Sequence, residues 1–155
     1  MADSSPALPP ADALQLARDS ANAMWSRDHA AQALGMVIAD VKPGTARLTM
    51  LVSQNMVNGH AICHGGMLFT LADTAFAYAC NSYNHNTVAS ACNIDFLAPA
   101  YVGDTLVAEA LERSQSGRTG VYDVTISTSA GKTLALFRGK SYRIQGEVIA
   151  SFSQA

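Results

Sequence analysis

The sequence predicts an α+β domain in which a curved, largely antiparallel sheet of about six strands folds around one long helix. Three observations predict it. The segment GGMLFTLADTAFAYACN, residues 65–81, is apolar nearly all round rather than along one stripe, as expected of a helix enclosed on most sides. Six other segments are rich in β-branched or large apolar residues and are separated by short turn-forming breaks. Helical spacing recurs elsewhere only near the N-terminus.

Residues 1–10, rich in Ser, Pro and Ala, read as a flexible leader that ends at the Pro9-Pro10 breaker. From 11 to 29, Leu14, Ala17, Ala21, Met24 and Trp25 fall on one stripe, the pattern of an amphipathic surface helix. Strands are expected over 34–41 and 45–52, joined through Lys42-Pro43-Gly44. The stretch 53–64, with Asn55, Asn58, Gly59 and His60, has the composition of a loop and leads into Gly65-Gly66 and the long helix. Four further strands are expected over 88–97, 104–112, 120–128 and 133–144, with breaks at Pro99-Ala100, Ser116-Gly117 and Ala130-Gly131-Lys132. The division is thus a leader over 1–10, one domain over 11–146 and a tail over 147–155.

A chain of 155 residues, 49% hydrophobic, is the size of one domain with its own core. Its formal charge of -2 supplies no general attraction to nucleic acid or to an anionic membrane, so neither is expected as a partner. The longest apolar stretch is interrupted by Asp73 and falls short of the about 20 residues a membrane span needs. Three widely spaced cysteines, Cys63, Cys80 and Cys92, and an N-terminus without a secretory pattern point to a reducing cytoplasm.

Asp73 is the residue that its surroundings do not predict. It lies mid-helix between Leu71-Ala72 and Ala75-Phe76-Ala77, where an uncompensated charge is costly and where retained carboxylates cluster at functional sites. Either it does chemistry there, or it meets a helix surface or subunit interface and hydrogen-bonds a neighbour. At the start of the same helix, Gly65 and Gly66 leave backbone N–H groups unobstructed at the positive end of the helix dipole. Such donors suit an oxygen that gathers negative charge when a carbonyl is attacked, although a Gly-Gly pair also serves merely as a tight entry into a helix. At about 1.5 Å of rise per residue, Gly65 and Asp73 stand about 12 Å apart. A base, a water and a carbonyl span only about half of that. If both groups act on one carbonyl they come from different subunits, which predicts a homo-oligomer with its active sites at a two-fold interface.

The stretches NGHAICHGGMLFTLADTAFAYACN, VASACNIDFLAPAYVGDTL, GRTGVYDV and ALFRGKSYRI resemble the phenylacetate-degradation branch of the hotdog-fold acyl-coenzyme A thioesterases, and the resemblance runs from about Leu34 to Ile144. It implies a sheet wrapped around one helix, dimers that pair into a tetramer, and hydrolysis of phenylacetyl- or hydroxyphenylacetyl-coenzyme A with no cofactor besides the coenzyme A of the substrate. It assigns water activation to Asp73 and the oxyanion donor to the backbone N–H of Gly65. Asn58 and His64 fall on positions that shape the site; for His64, direct contact and a hydrogen bond that orders the loop are equally open.

Related enzymes hold the water with a Ser or Thr on the strand after the helix. Ser90 is the nearest residue, in uncertain register, and Thr74 and Thr70 are the alternatives on the helix. Phosphates of coenzyme A would meet some of Arg118, Arg138, Lys140 and Arg143. Arg118-Thr119-Gly120 and Arg138-Gly139-Lys140 resemble the family's coenzyme-binding loops, and Gly139 is expected to let the pantetheine arm approach the backbone. Phe69, Phe76, Tyr78, Tyr83 and Phe96 line either an aromatic pocket or the core.

His60, Cys63 and His64 lack a second ligand cluster, so no metal is expected. Cys63 has no evident base beside it, and Cys80 and Cys92 read as core residues. Two other readings stay open: a hydroxyacyl dehydratase built on the His64 and Asp73 pair, which lacks the expected proline-rich histidine loop, and a coenzyme-A-binding sensor without chemistry.

Overall fold

Pro10 begins the first helix, its carbonyl accepting the Leu14 N–H at 3.1 Å. The structure, a computed structural model, describes residues 9–153, so the expected leader lies outside the described residues except for Pro9 and Pro10. Helix α1 covers Ala11–Trp25 and buries Ala17 and Ala21. It stops short of the expected residue 29 because Asp28 starts a second helix, α2 (His29–Ala33), by accepting the Ala31 N–H on Oδ1 at 3.1 Å. Asp28 Oδ2 also accepts the Tyr78 hydroxyl at 3.1 Å, a tertiary bond that no local pattern announces.

The sheet contains β1 (Val37–Lys42), β2 (Thr45–Leu51), β3 (His85–Phe96), β4 (Thr105–Ser116), β5 (Thr119–Thr128) and β6 (Thr133–Glu147). Every pairing is antiparallel and the spatial order is β1-β2-β4-β5-β6-β3. The two edges are therefore β1 and β3. Strand β1 starts three residues later than expected, because Leu34 closes α2 and Gly35 turns the chain at φ +67°. Strand β3 begins three residues earlier than expected, and β4 and β6 run past their expected ends, since hydrogen bonding to long neighbours continues where the apolar alternation fades.

Helix α3 (Gly65–Cys80) lies against the concave face of this sheet. Leu68, Leu71, Ala72, Ala75, Phe76, Tyr78, Ala79 and Cys80 are buried, packed with Leu48, Met50, Leu106, Tyr122, Val124, Ile126, Leu134 and Phe137. Phe76 stands 5.5 Å from the Tyr122 ring and 5.9 Å from Phe137. Burying one such large apolar side chain contributes about 1.5–3 kcal/mol, so the helix–sheet contact dominates the fold.

Helix α3 is enclosed on most sides, as expected, and Gly66, Thr70, Asp73 and Ala77, spaced three or four apart, form the stripe that stays at least partly accessible. One expectation needs correction: Cys92 is not a core residue, because it sits on edge strand β3, most of which is exposed; Cys63 and Cys80 are buried. The tail, finally, is a short helix, α4 (Val148–Ser153), which follows β6 without a break and packs on α1. Among the described residues, no helix is long and apolar enough to cross a membrane.

Candidate active site

The loop before α3 is folded by Asn58. Its Oδ1 accepts the N–H groups of His60 at 3.0 Å and Ile62 at 3.4 Å, and its backbone N–H donates to the Ile62 carbonyl. Ala61 takes φ +59° to complete the turn. The carboxamide Nδ2 of Asn58 makes no hydrogen bond to the described residues, and Asn58 lines a groove of about 380 Å³ together with Ile62, Gly65, Leu68, Phe96 and Pro99.

His64 is the N-cap of α3. Its Nδ1 accepts the Gly66 N–H at 2.9 Å, while its carbonyl accepts Met67 N–H at 2.8 Å. The bond from Gly66 is an ordering hydrogen bond of the kind named earlier, and Nε2 has no partner among the described residues. The cap also separates the two glycines: the Gly66 donor is committed, whereas the Gly65 N–H, first in the helix, has no acceptor among the described residues and opens on the Asn58 groove. A Cβ on Gly65 would lie 3.1 Å from the Phe96 ring, so the absence of a side chain lets that ring close against the helix start.

Asp73 lines a different cavity, of about 350 Å³, together with Met24, Phe76, Ala77, Cys80, Asn81, Asn86, Thr87, Val88, Ala89, Ile144 and Phe152. Its carboxylate makes no hydrogen bond or ion pair with the described residues, and partial burial pushes its pKa above the ordinary range. Burial first, with a smaller contribution from the Asp73 charge, raises the Cys92 thiol. Cys80 is pushed up to about 12 by burial, opposed by a backbone hydrogen bond and reinforced by Asp73. Burial also raises Cys63, so none of the three thiols carries the low pKa of a reactive nucleophile.

Several expected residues sit elsewhere. Ser90 is the extra residue of a bulge between Ala89 and Ala91, its hydroxyl donates to the Lys140 carbonyl at 3.1 Å, and it lines neither cavity. Thr74 donates to the Thr70 carbonyl and Thr70 to the Gly66 carbonyl, so both protons are spent on the helix backbone. Gly139 has a packing role that its sequence context did not announce: a Cβ there would lie 2.8 Å from the Phe76 ring, so the missing side chain makes room for that ring.

Arg138 holds Asp123 as a fork, Nε to Oδ1 at 2.6 Å and Nη2 to Oδ2 at 2.8 Å, and this pairing keeps Asp123 below the usual carboxylate range. Its guanidinium is thus already engaged. Lys140 makes no ion pair among the described residues, while Arg118 and Thr119 sit in the exposed β4–β5 turn, where the Arg118 carbonyl accepts the Arg143 N–H at 2.8 Å. A further hollow of about 640 Å³ is lined by Arg138 and Lys140 but by neither Asp73 nor Gly65.

Of the aromatic candidates, Phe76 lines the Asp73 cavity and Phe96 the Asn58 groove. Phe69 and Tyr78 pack in the core, and Tyr83 meets Glu112. Asn86 and Phe152 were not singled out by sequence, and Met24 was read only as part of the first helix's apolar stripe. Among the described residues, no three His, Cys, Asp or Glu side chains converge as a metal site.

The thioesterase superfamily pattern matches residues 60–135, which contain both α3 and the glycine entry. The acyl-coenzyme A thioesterase PaaI of Escherichia coli (strain K12) is 56% identical over 129 residues, covering 83% of this chain and 92% of that protein. A putative esterase of Archaeoglobus fulgidus is 37% identical over 121 residues, 78% of this chain and 79% of the relative. The solved structure of the E. coli PaaI protein from the phenylacetic acid degradation operon superposes with a TM-score of 0.85 at 54% identity, over 86% of this chain and 97% of that one.

Proposed function

The chain belongs to the thioesterase superfamily and has its hotdog fold, and from that premise we propose that it hydrolyses acyl-coenzyme A thioesters at sites completed by two subunits. One observation carries this reading. Neither the Asp73 carboxylate nor the Gly65 N–H makes a hydrogen bond among the described residues, and in a single chain they line separate cavities. Standing about 12 Å apart on one helix, they reach one carbonyl only if a second copy brings its Gly65 to the first copy's Asp73. The accessible stripe of α3 and the exposed edge strand β3, with Val88 46% and Phe96 55% exposed, supply a surface for that copy.

The reaction then follows from the groups. Asp73, made more basic by partial burial, takes a proton from water as the oxygen attacks the thioester carbonyl carbon. The oxyanion is held by the partner's glycine N–H, and the free Nδ2 of Asn58 beside it adds a second donor. Collapse breaks the C–S bond, and the proton on Asp73 passes to the departing thiolate. His64 keeps Gly65 and Gly66 in register as the cap. Arg118, Arg143 and Lys140 are the cations left available for the coenzyme A phosphates. The apolar lining of the Asp73 cavity suits an aryl-acetyl group, in line with the operon named for the E. coli relative.

Subunit mixing tests the proposal. Asp73→Asn and Gly65→Pro proteins, each inactive in thiol release from phenylacetyl-coenzyme A, should recover about a quarter of wild-type turnover when unfolded and refolded together at equal amounts, because half the dimers are mixed and each has one intact site. No recovery, with mixed dimers demonstrated, rejects the shared site. Absorbance loss of an enoyl thioester without thiol release would indicate the dehydratase, and tight binding without turnover the sensor.

A further inference from the structure

The half-open cavity that contains Asp73 is lined in part by elements outside the sheet. Met24 comes from the end of α1 and Phe152 from α4, and between them they face Phe76, Ala77, Val88 and Ile144. Helix α4 is held in this place by a dense set of bonds. Gly146 turns the chain at φ +95°, and a Cβ there would meet Asn86 Nδ2 at 2.9 Å. Asn86 Nδ2 donates to Ser151 Oγ at 2.9 Å and to the Gln145 carbonyl at 3.2 Å. Asn84, itself at φ +63°, accepts the Ile149 N–H on Oδ1 at 2.9 Å and the Val148 N–H on its carbonyl at 3.2 Å. Val148 is 1% exposed, and the Arg27 guanidinium lies 5.8 Å above the Phe152 ring.

Asn84 and Asn86 belong to the segment that leaves the C-terminal end of α3, the helix that carries Asp73. The helix with the carboxylate and the helix that lines the cavity from outside the sheet are therefore tied at one corner. At about 350 Å³ this half-open space is at the small end of ligand cavities, which run from about 300 to 1,000 Å³. It has room for one ring or a short chain.

We infer that Phe152 of α4, with Met24 of α1, is the wall that limits acyl length, so that compact acyl groups are accepted and long unbranched ones excluded. This rests on the thioesterase reading above, in which the acyl group leaves the carbonyl on the Asp73 side. Bulk at the wall then acts on the substrate rather than on the reacting atoms, and its effect is a change of ranking among substrates.

The test is a thiol-release series with acetyl-, hexanoyl-, decanoyl- and phenylacetyl-coenzyme A. For Phe152→Ala combined with Met24→Ala, the ratio of kcat/KM for decanoyl over phenylacetyl should rise about 10-fold or more. Phe152→Trp, a half-exposed replacement that leaves the core alone, should move the other way and lower hexanoyl relative to acetyl by about 5-fold. Ratios within 2-fold of wild type in both folded variants overturn the wall. A wild-type protein inactive on all four thioesters instead overturns the hydrolase reading and takes the wall with it.

Discussion

The Nδ1 of His64 accepts the Gly66 N–H at 2.9 Å, and this bond makes Gly65 the uncommitted donor at the start of α3. Gly65 is the first helical position, where proline is tolerated because the missing N–H has no helical partner, and His64 at ψ 134° already has the backbone that precedes proline. Gly65→Pro should therefore keep its circular dichroism while kcat falls about 10²–10³-fold, the cost of one oxyanion donor. Gly65→Ala, which keeps the N–H, should lose far less. Equal losses in the two variants would remove the N–H from the mechanism.

Replacing the cap tests what His64 does. His64→Ala should lose about 1 kcal/mol of stability, seen as a melting temperature lower by about 2–4 °C. His64→Asn restores a side-chain acceptor at the N-cap and should recover both the melting temperature and most of the turnover. Recovery of stability without turnover would show that the imidazole touches the substrate.

Asp73 links activity to stability through its titration. Burial holds its pKa above the ordinary 3.8, so the fold favours the neutral acid. The associated stability is fully present below the unfolded value and is lost as pH rises through the raised folded value. At pH 7 the charged form is a burden, softened by the partial exposure of the group. Asp73→Asn should thus melt about 1–2 °C above wild type at pH 7 but not at pH 3, while losing about 10³-fold or more in kcat. For the wild type, the acid limb of kcat/KM should titrate above 3.8; a limb at or below that value would mean that a different base is at work.

Gly139→Ala should cost about 1–3 kcal/mol in urea unfolding, because its Cβ would lie 2.8 Å from the Phe76 ring. Phe76→Leu in the same chain should return part of that loss, since the two residues share one space. If Gly139→Ala were neutral for stability but raised KM, the glycine would belong to the coenzyme surface after all.

Much of this was legible from the residues. The six strands, the long helix, the misfit of Asp73 and the glycine entry all follow from local composition and spacing, because periodicity and turn chemistry act over a few residues. Helix rise alone put Asp73 and Gly65 too far apart for one carbonyl. Residues that owe their place to distant partners were not legible: Asp28 breaks the first helix in concert with Tyr78, fifty positions away, and Ser90 drops out of line at a bulge.

Gly139 and Arg138 show the limit most clearly. Each resembled part of a coenzyme loop, yet one makes room for Phe76 and the other grips Asp123. Phe152 is the converse, a residue in an unremarked tail that reaches the cavity of Asp73. Sequence by itself determined which groups are candidates for chemistry and on which element they lie. Only the tertiary structure decided which of them are already satisfied, because a side chain's vacancy depends on neighbours brought in from other parts of the chain.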